Sequence, residues 1–267
     1  MAQEKGEAMN DHTVNRNIGA ITAEEQAILR RKTVLIAGCG GLGGYCAELL
    51  SRLGVGKLVL CDCDVFEESN LNRQLFCNRN TLGVNKAEAI GYYIEENDRC
   101  KVRVVTKAIT PLNAYLLTDG CDLVIDALDN IATRFDLQRA CKRRGIPMIT
   151  GGVSHWHGQV STIYPGDDTL EAIFGRNASE KHPPVLGFAA CNIATCQVAE
   201  AAKILLGQPS LRKKLLMIDL NGFTAKIVPI EGRRRLIGLH LRRLSDYRIL
   251  RVGKLAEKRD LSSDKKQ

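Results

Sequence analysis

The stretch "KTVLIAGCGGLGGYCAELLSRLG" constrains this chain more than any other. An apolar run passes through clustered glycines directly into an amphipathic segment. Gly38, Gly40 and Gly43 fit G-x-G-x-x-G, with Gly41 between them. A strand that ends in such a loop and opens a helix is the context that lifts the motif above chance. Glycines let the backbone approach phosphates, and the helix N-terminus favours their charge. Asp62 ends the next apolar run, where a ribose hydroxyl is bound in such folds. The loop therefore implies a nucleotide with a ribose and phosphates, a dinucleotide included.

The pattern continues with apolar strands "KLVLCD", "KVRVVT", "DLVIDA" and "IPMITG", separated by amphipathic helices. This alternation predicts an α/β fold, Rossmann-like, with a mostly parallel sheet and helices on both faces. "TAEEQAILRR" is a short helix capped by Thr22, and Gly54 stops the helix that follows the glycine loop. In the last third, "GQVSTIYPG" reads as a strand and "DDTLEAIFGRNASEKHPP" as a long loop. "ACNIATCQVAEAAKILLG" reads as a buried, small-residue helix. "KKLLMIDL" and "TAKIVPI" read as an antiparallel hairpin joined across Asn221-Gly222. The expected organisation is an arm over 1–20, one domain over 21–231 and a basic tail over 232–267.

Composition narrows the class. The 267 residues are 45% hydrophobic and 25% charged, as in soluble globular proteins. No apolar run is long enough to span a membrane, and the polar N-terminus has no signal-peptide core. Several of the 10 cysteines, Cys39, Cys61 and Cys121 among them, fall inside apolar runs. Free cysteine packs as a small hydrophobe, so a reducing, cytoplasmic setting is expected. Much of the net charge of +8 lies after Gly232. Such a tail is able to contact nucleic acid, acidic protein or anionic lipid. No RNA-binding signature accompanies it, so nucleic acid is the less favoured partner.

Two further clusters carry chemistry. In "CDCDVFEESNLNRQLF", Asp64 follows Asp62, and Asn70, Arg73 and Gln74 gather on one polar segment; Lys86 starts the next helix. A triphosphate needs more cationic charge than a dinucleotide pyrophosphate, and Arg73 and Lys86 are able to supply it. In "VIDALDNIATRFDL", Asp129 and Asn130 lie in the loop beyond a strand's carboxyl end, where open sheets bind ligands. Asp129 is placed to hold Mg²⁺, Asp126 is the competing ligand, and Asn130 is also a natural helix cap.

Taken together, "GCGGLGG", "CDVFEESNLNRQLF", "GVNKAEA" and "DALDNIATR" resemble the ThiF/MoeB/HesA family, bacterial relatives of the ubiquitin-activating enzymes. "VNRNIG" is similar to that family's "YNRQI" segment, and the likeness runs over about residues 15–230. The resemblance implies an adenylyltransferase that joins the C-terminal carboxylate of a ubiquitin-like sulfur carrier, ending in Gly-Gly, to the AMP of ATP. By the same resemblance Gly38, Gly40, Gly41 and Gly43 cradle phosphates, and Asp62 binds the ribose with Asp64 in support. Asn70, Arg73, Gln74 and Lys86 contact the triphosphate, Asp129 holds Mg²⁺ beside Asn130, and Arg16 reaches into the neighbouring site of a homodimer. Many such proteins hold zinc through two C-x-x-C pairs; this chain has none, so zinc is not expected. Some use a cysteine before the last long helix. Here that loop has none, and Cys191 and Cys196 follow at helical spacing, which reads as core. Adenylation is thus better supported than a covalent sulfur-transfer step.

His155 and His157 flank Trp156 at a strand end. As alternate strand residues they are expected on one face, as structural residues or lining the carrier's tail groove rather than holding a metal. The competing functions are a tRNA-modifying cyclodehydratase-like adenylating enzyme, a non-catalytic carrier-binding subunit and a nicotinamide-dependent oxidoreductase.

Overall fold

The computed structural model describes residues 11–97, 99–175 and 183–230. The described residues through Pro229 form one compact unit. The expected basic tail, 232–267, lies outside the described residues.

Eight strands form one sheet: β1 Thr33–Ala37, β2 Lys57–Cys61, β3 Lys101–Val105, β4 Leu123–Asp126, β5 Met148–Ser154, β6 His157–Ile163, β7 Lys214–Asp219 and β8 Thr224–Pro229. Their order is β3-β2-β1-β4-β5-β6-β7-β8. The first five run parallel to one another, and β6, β7 and β8 each run antiparallel to the strand before. The chain leaves β1 toward β2 and returns past it to β4, so the order reverses between β1 and β4. Ligands of doubly wound sheets bind at that crevice.

The helices are α1 Ala23–Leu29, α2 Gly43–Leu53, α3 Lys86–Glu96, α4 Ala114–Leu117, α5 Ile131–Arg144, α6 Thr169–Phe174 and α7 Gly187–Leu205. Successive β1 residues point to opposite faces, and each face has its own core. Val34 and Ile36 join Leu50, Ile90 and Ile193, from α2, α3 and α7. Leu35 and Ala37 join Leu117, Leu137 and Leu170, from α4, α5 and α6. This two-sided burial is why the central strands read as continuous apolar runs. Thr22 closes a capping box on α1, and Gly54 ends α2 with a left-handed φ of 86°. Among the described residues no helix is long and apolar enough to cross a membrane.

Three expectations change. Part of the expected arm is ordered: Asp11–Asn17 is a 3₁₀ helix with Val14 buried, and Asn17 Nδ2 donates to Gln26 Oε1 at 3.0 Å. The expected long loop contains α6, whose Leu170 and Ile173 are buried; six residues are too few to show a clear period. The hairpin pairs Asp219 with Thr224, so its loop is residues 220–223, and the positive φ falls on Phe223 (48°).

Candidate nucleotide site

The glycines of the loop do different jobs. Gly38 has φ 88°, and a Cβ there would lie 2.7 Å from the Ala127 carbonyl oxygen. A Cβ on Gly43 would lie 1.8 Å from the Gly38 carbonyl oxygen, so Gly43 lets α2 start against β1's exit. Gly40 and Gly41 are not needed for packing. A Cβ on Gly40 would meet Gln74 Nε2 at 3.5 Å; on Gly41 it would meet Ala190 and Arg73 at 3.8 Å. The open side of the loop is thus faced by Arg73 and Gln74.

Asp62 stands where β2 ends. Its Oδ2 accepts from the Cys39 N–H at 2.6 Å and its Oδ1 from the Asp64 N–H at 2.9 Å, which fixes the carboxylate against the glycine loop. Burial raises its pKa above the ordinary carboxylate value, against the pull of those N–H donors and Lys86. Asn85, which sequence reasoning missed, caps α3 by accepting from the Ala87 and Glu88 N–H groups at 3.0 and 3.2 Å. Its Nδ2 donates to the carbonyls of Asp62 and Asp64, so it ties β2's exit to the start of α3. The cap preference of asparagine before "KAEAIGYY" was the available signal. Lys86 follows, buried, with Nζ 3.1 Å from Asp64 Oδ2.

Arg73 Nη1 donates to the Ser69 carbonyl and to Asn72 Oδ1, both at 2.8 Å. Asn70 is buried, and its Oδ1 accepts from the Glu67 N–H at 3.2 Å, which closes the turn that carries Arg73. Gln74 is buried, and among the described residues its Oε1 has no hydrogen-bond partner.

Across the crevice, Asp129 is exposed beyond β4, and Asn130 caps α5 by accepting from the Thr133 N–H at 2.8 Å. Asp126 is no metal ligand. It is fully buried, 3.0 Å from Arg134 Nη1, and it accepts from Thr150 Oγ1 at 2.7 Å and the Leu128 N–H at 3.1 Å. A carboxylate so paired leaves no open face for an ion. Asp62, Cys63 and Asp64 have ligand atoms within 4.8 Å of one another, but Asp64 and Cys63 are exposed, and exposed acidic groups commonly cluster without an ion. Asp62 holds two backbone N–H groups and Asp64 holds Lys86.

Arg16 is exposed and not in this cluster. Its 3₁₀ helix packs at the other end of α2, with Val14 against Gly54 and Asn17 Nδ2 donating to the Leu53 carbonyl at 3.4 Å. The 11 residues of α2 separate it from the glycine loop by about 16 Å.

The histidines do not share a strand face. Ser154 pairs with His157, so His155 and Trp156 form the turn between β5 and β6, with His155 at φ 55°. His157 Nε2 lies 3.4 Å from Asp219 Oδ1. The His155 N–H donates to the Pro184 carbonyl at 2.7 Å, and Asn72 Nδ2 to the Val185 carbonyl at 3.1 Å. The segment at 183–187 therefore runs between this turn and the Arg73 segment. Trp156 packs on Phe188 with centroids 4.9 Å apart, both rings substantially exposed. Cys191 and Cys196 are half-buried rather than fully core, and burial raises the Cys196 thiol.

A glycine loop opening a helix at the sheet's switch point, with Arg73 and Gln74 against Gly41 and Gly40 and Lys86 paired to Asp64 nearby, is the arrangement of a Rossmann-type domain. The chain belongs to the ThiF family, whose model matches residues 14–236. It is 32% identical over 214 residues to the SAMP-activating enzyme E1 of Haloferax volcanii, covering 77% of this chain and 79% of that one. It is 32% identical over 222 residues to the adenylyltransferase and sulfurtransferase MOCS3 of Drosophila persimilis, covering 78% of this chain but 48% of that one, about half its length. The structure is similar to that of the E. coli tRNA N6-threonylcarbamoyladenosine dehydratase TcdA in complex with ATP, with TM-score 0.63 and 25% identity over 74% of this chain and 95% of that one.

Proposed function

We propose that this chain is an ATP-dependent adenylyltransferase that activates the C-terminal carboxylate of a ubiquitin-like sulfur-carrier protein. The observation that carries the reading is the glycine loop with Gly40 and Gly41 open toward Arg73 and Gln74. Relatives named as adenylyltransferases and as a SAMP-activating enzyme support it, as does a neighbour solved with ATP.

In this reading Gly38, Gly40, Gly41 and Gly43 bring backbone N–H groups to the phosphates and Asp62 receives the ribose. Arg73 and Lys86 neutralise the triphosphate, supported by Asp64, Asn70, Gln74 and Asn130. The carrier's terminal carboxylate attacks the α-phosphorus, a C–O–P bond forms, the bond to the β-phosphate oxygen breaks, and pyrophosphate leaves with that electron pair. The nucleophile is already ionised at neutral pH, so no general base is required. Positioning and charge neutralisation carry the catalysis. The exposed carboxylate of Asp129, across the crevice from the loop, fits the hard oxygen ligand that Mg²⁺ takes alongside phosphates. When bound, Mg²⁺ would supply charge neutralisation for the leaving pyrophosphate.

Arg16 lies too far from its own glycine loop to serve it, which supports a homodimer in which it serves the partner's site. Val65, Leu71, Leu75 and Val84 are exposed on the excursion that carries Arg73, which supports the same interface. The carrier tail would run along the segment at 183–187, past Trp156 and Phe188. All ten cysteines are free, which suits a reducing cytoplasm.

The test is ATP–pyrophosphate exchange with purified protein and candidate carriers ending in Gly-Gly. Carrier-dependent exchange supports the proposal. Exchange with tRNA and no carrier would replace it with the dehydratase-like reading, which the 95% coverage of TcdA favours among the alternatives. ATP binding without exchange under any condition would leave a carrier-binding subunit.

A further inference from the structure

The structure assigns Arg134 a positioning role: with Asp126 it clamps both backbone polar groups of Leu128, and so fixes the loop that presents Asp129 to the phosphates. The inference rests on the reading of Asp129 given above, but the clamp is visible without it. The Leu128 N–H donates to Asp126 Oδ1 at 3.1 Å, and Arg134 Nη2 donates to the Leu128 carbonyl. Arg134 Nη1 also reaches Asp126 Oδ2 at 3.0 Å, Thr150 Oγ1 at 2.9 Å and the Gly151 carbonyl at 2.9 Å. Its side chain is 7% exposed and that of Asp126 is 0% exposed.

One guanidinium thus joins the exit of β4, the middle of β5 and its own helix α5. Its outer face lies over the Phe174 ring of α6, 5.3 Å from the centroid. Asp129 sits between Leu128, held on both sides, and Asn130, held as the α5 cap. The neighbouring Ala127 N–H donates to the Ala37 carbonyl at 2.9 Å, at the foot of the glycine loop. A buried ion pair is weak evidence for stability, since apolar replacements often match it. A fork reaching four acceptors, on β4, on β5 and in the loop after β4, does what an apolar side chain cannot. Lysine would keep the charge but not that planar fork.

The test compares wild type, Arg134→Lys and Thr150→Val, which removes only the hydroxyl that bridges Arg134 and Asp126. Hydrogen exchange is read at the 127–130 amides, and ATP (with Mg²⁺) and adenosine affinities are measured by calorimetry. In folded Arg134→Lys, Leu128 amide exchange should quicken by about tenfold or more and ATP affinity should fall about tenfold, with adenosine affinity unchanged. Thr150→Val should shift in the same direction by less, and it carries the test if the lysine variant does not fold. Unchanged loop protection, or equal weakening of ATP and adenosine, would overturn the assignment. If Asp129→Ala leaves ATP affinity and its Mg²⁺ dependence untouched, the reading of Asp129 fails instead, while loop protection still reports on the clamp.

Discussion

Replacing Gly41 by alanine separates a phosphate cradle from a tight turn. A Cβ there would meet its nearest neighbours, Ala190 and Arg73, at 3.8 Å, which is ordinary contact, and Gly41 does not need a positive φ. The fold should therefore tolerate the methyl, and lost chain entropy in the unfolded state should leave stability unchanged or raised by up to about 1 kcal/mol. The methyl projects toward the open side of the loop, where a phosphate oxygen would approach the backbone. Displacing one charge-assisted hydrogen bond costs about 1.5–3 kcal/mol, or roughly 10- to 150-fold in ATP affinity. Gly43→Ala is the contrast: its Cβ would sit 1.8 Å from the Gly38 carbonyl oxygen, and it should destabilise the apo protein by about 1–3 kcal/mol or more. Thermal denaturation of both variants, with and without ATP, reads the two effects separately. A Gly41→Ala protein that binds ATP as wild type does would refute the cradle.

Other perturbations probe the rest of the site. Arg73→Ala should lower exchange about a hundredfold or more with little loss of stability. Lys86→Met should act similarly, because Asp64 is exposed and loses its partner without becoming a buried lone charge; thermal melts and exchange rates check both. Arg16→Ala and Asp129→Ala should each be inactive alone, yet a 1:1 mixture, in which about half the dimers are mixed and each mixed dimer has one complete site of two, should recover about a quarter of wild-type activity; no recovery on mixing would place Arg16 elsewhere. Cys63 is exposed between Asp62 and Asp64, with its pKa raised by partial burial and those carboxylates. Its alkylation should accelerate only at alkaline pH and be slowed by ATP, while Cys61, pushed to about 12, stays unmodified; peptide mapping reads this.

The central sheet was legible because its strands are buried on both faces and its helices end on clear signals, such as Thr22 and Gly54. The glycine loop, Asp62 and Lys86 stand out in the sequence because each sits at a strand exit or a helix start, whereas Arg73 lies in the turn after residues 68–70 and stands out only as a cation in a polar segment. What pattern could not show was which polar groups satisfy one another. Asp126 competes with Asp129 as a ligand in the sequence, but Arg134, eight residues on, pairs with it inside the protein. His155 and His157 looked like alternating strand residues because a two-residue turn leaves no apolar gap in the sequence. Arg16 is near the site in motif order but a helix length away in space, since α2 lies between them.

Intact-mass spectrometry of a Gly-Gly carrier incubated with the enzyme and Mg-ATP tests the central claim most directly. A carrier that gains one adenylyl group with wild-type protein, loses it on hydroxylamine treatment, and gains none with Asp129→Ala is the predicted result. An unmodified carrier in the presence of ATP-bound wild-type protein would contradict the account.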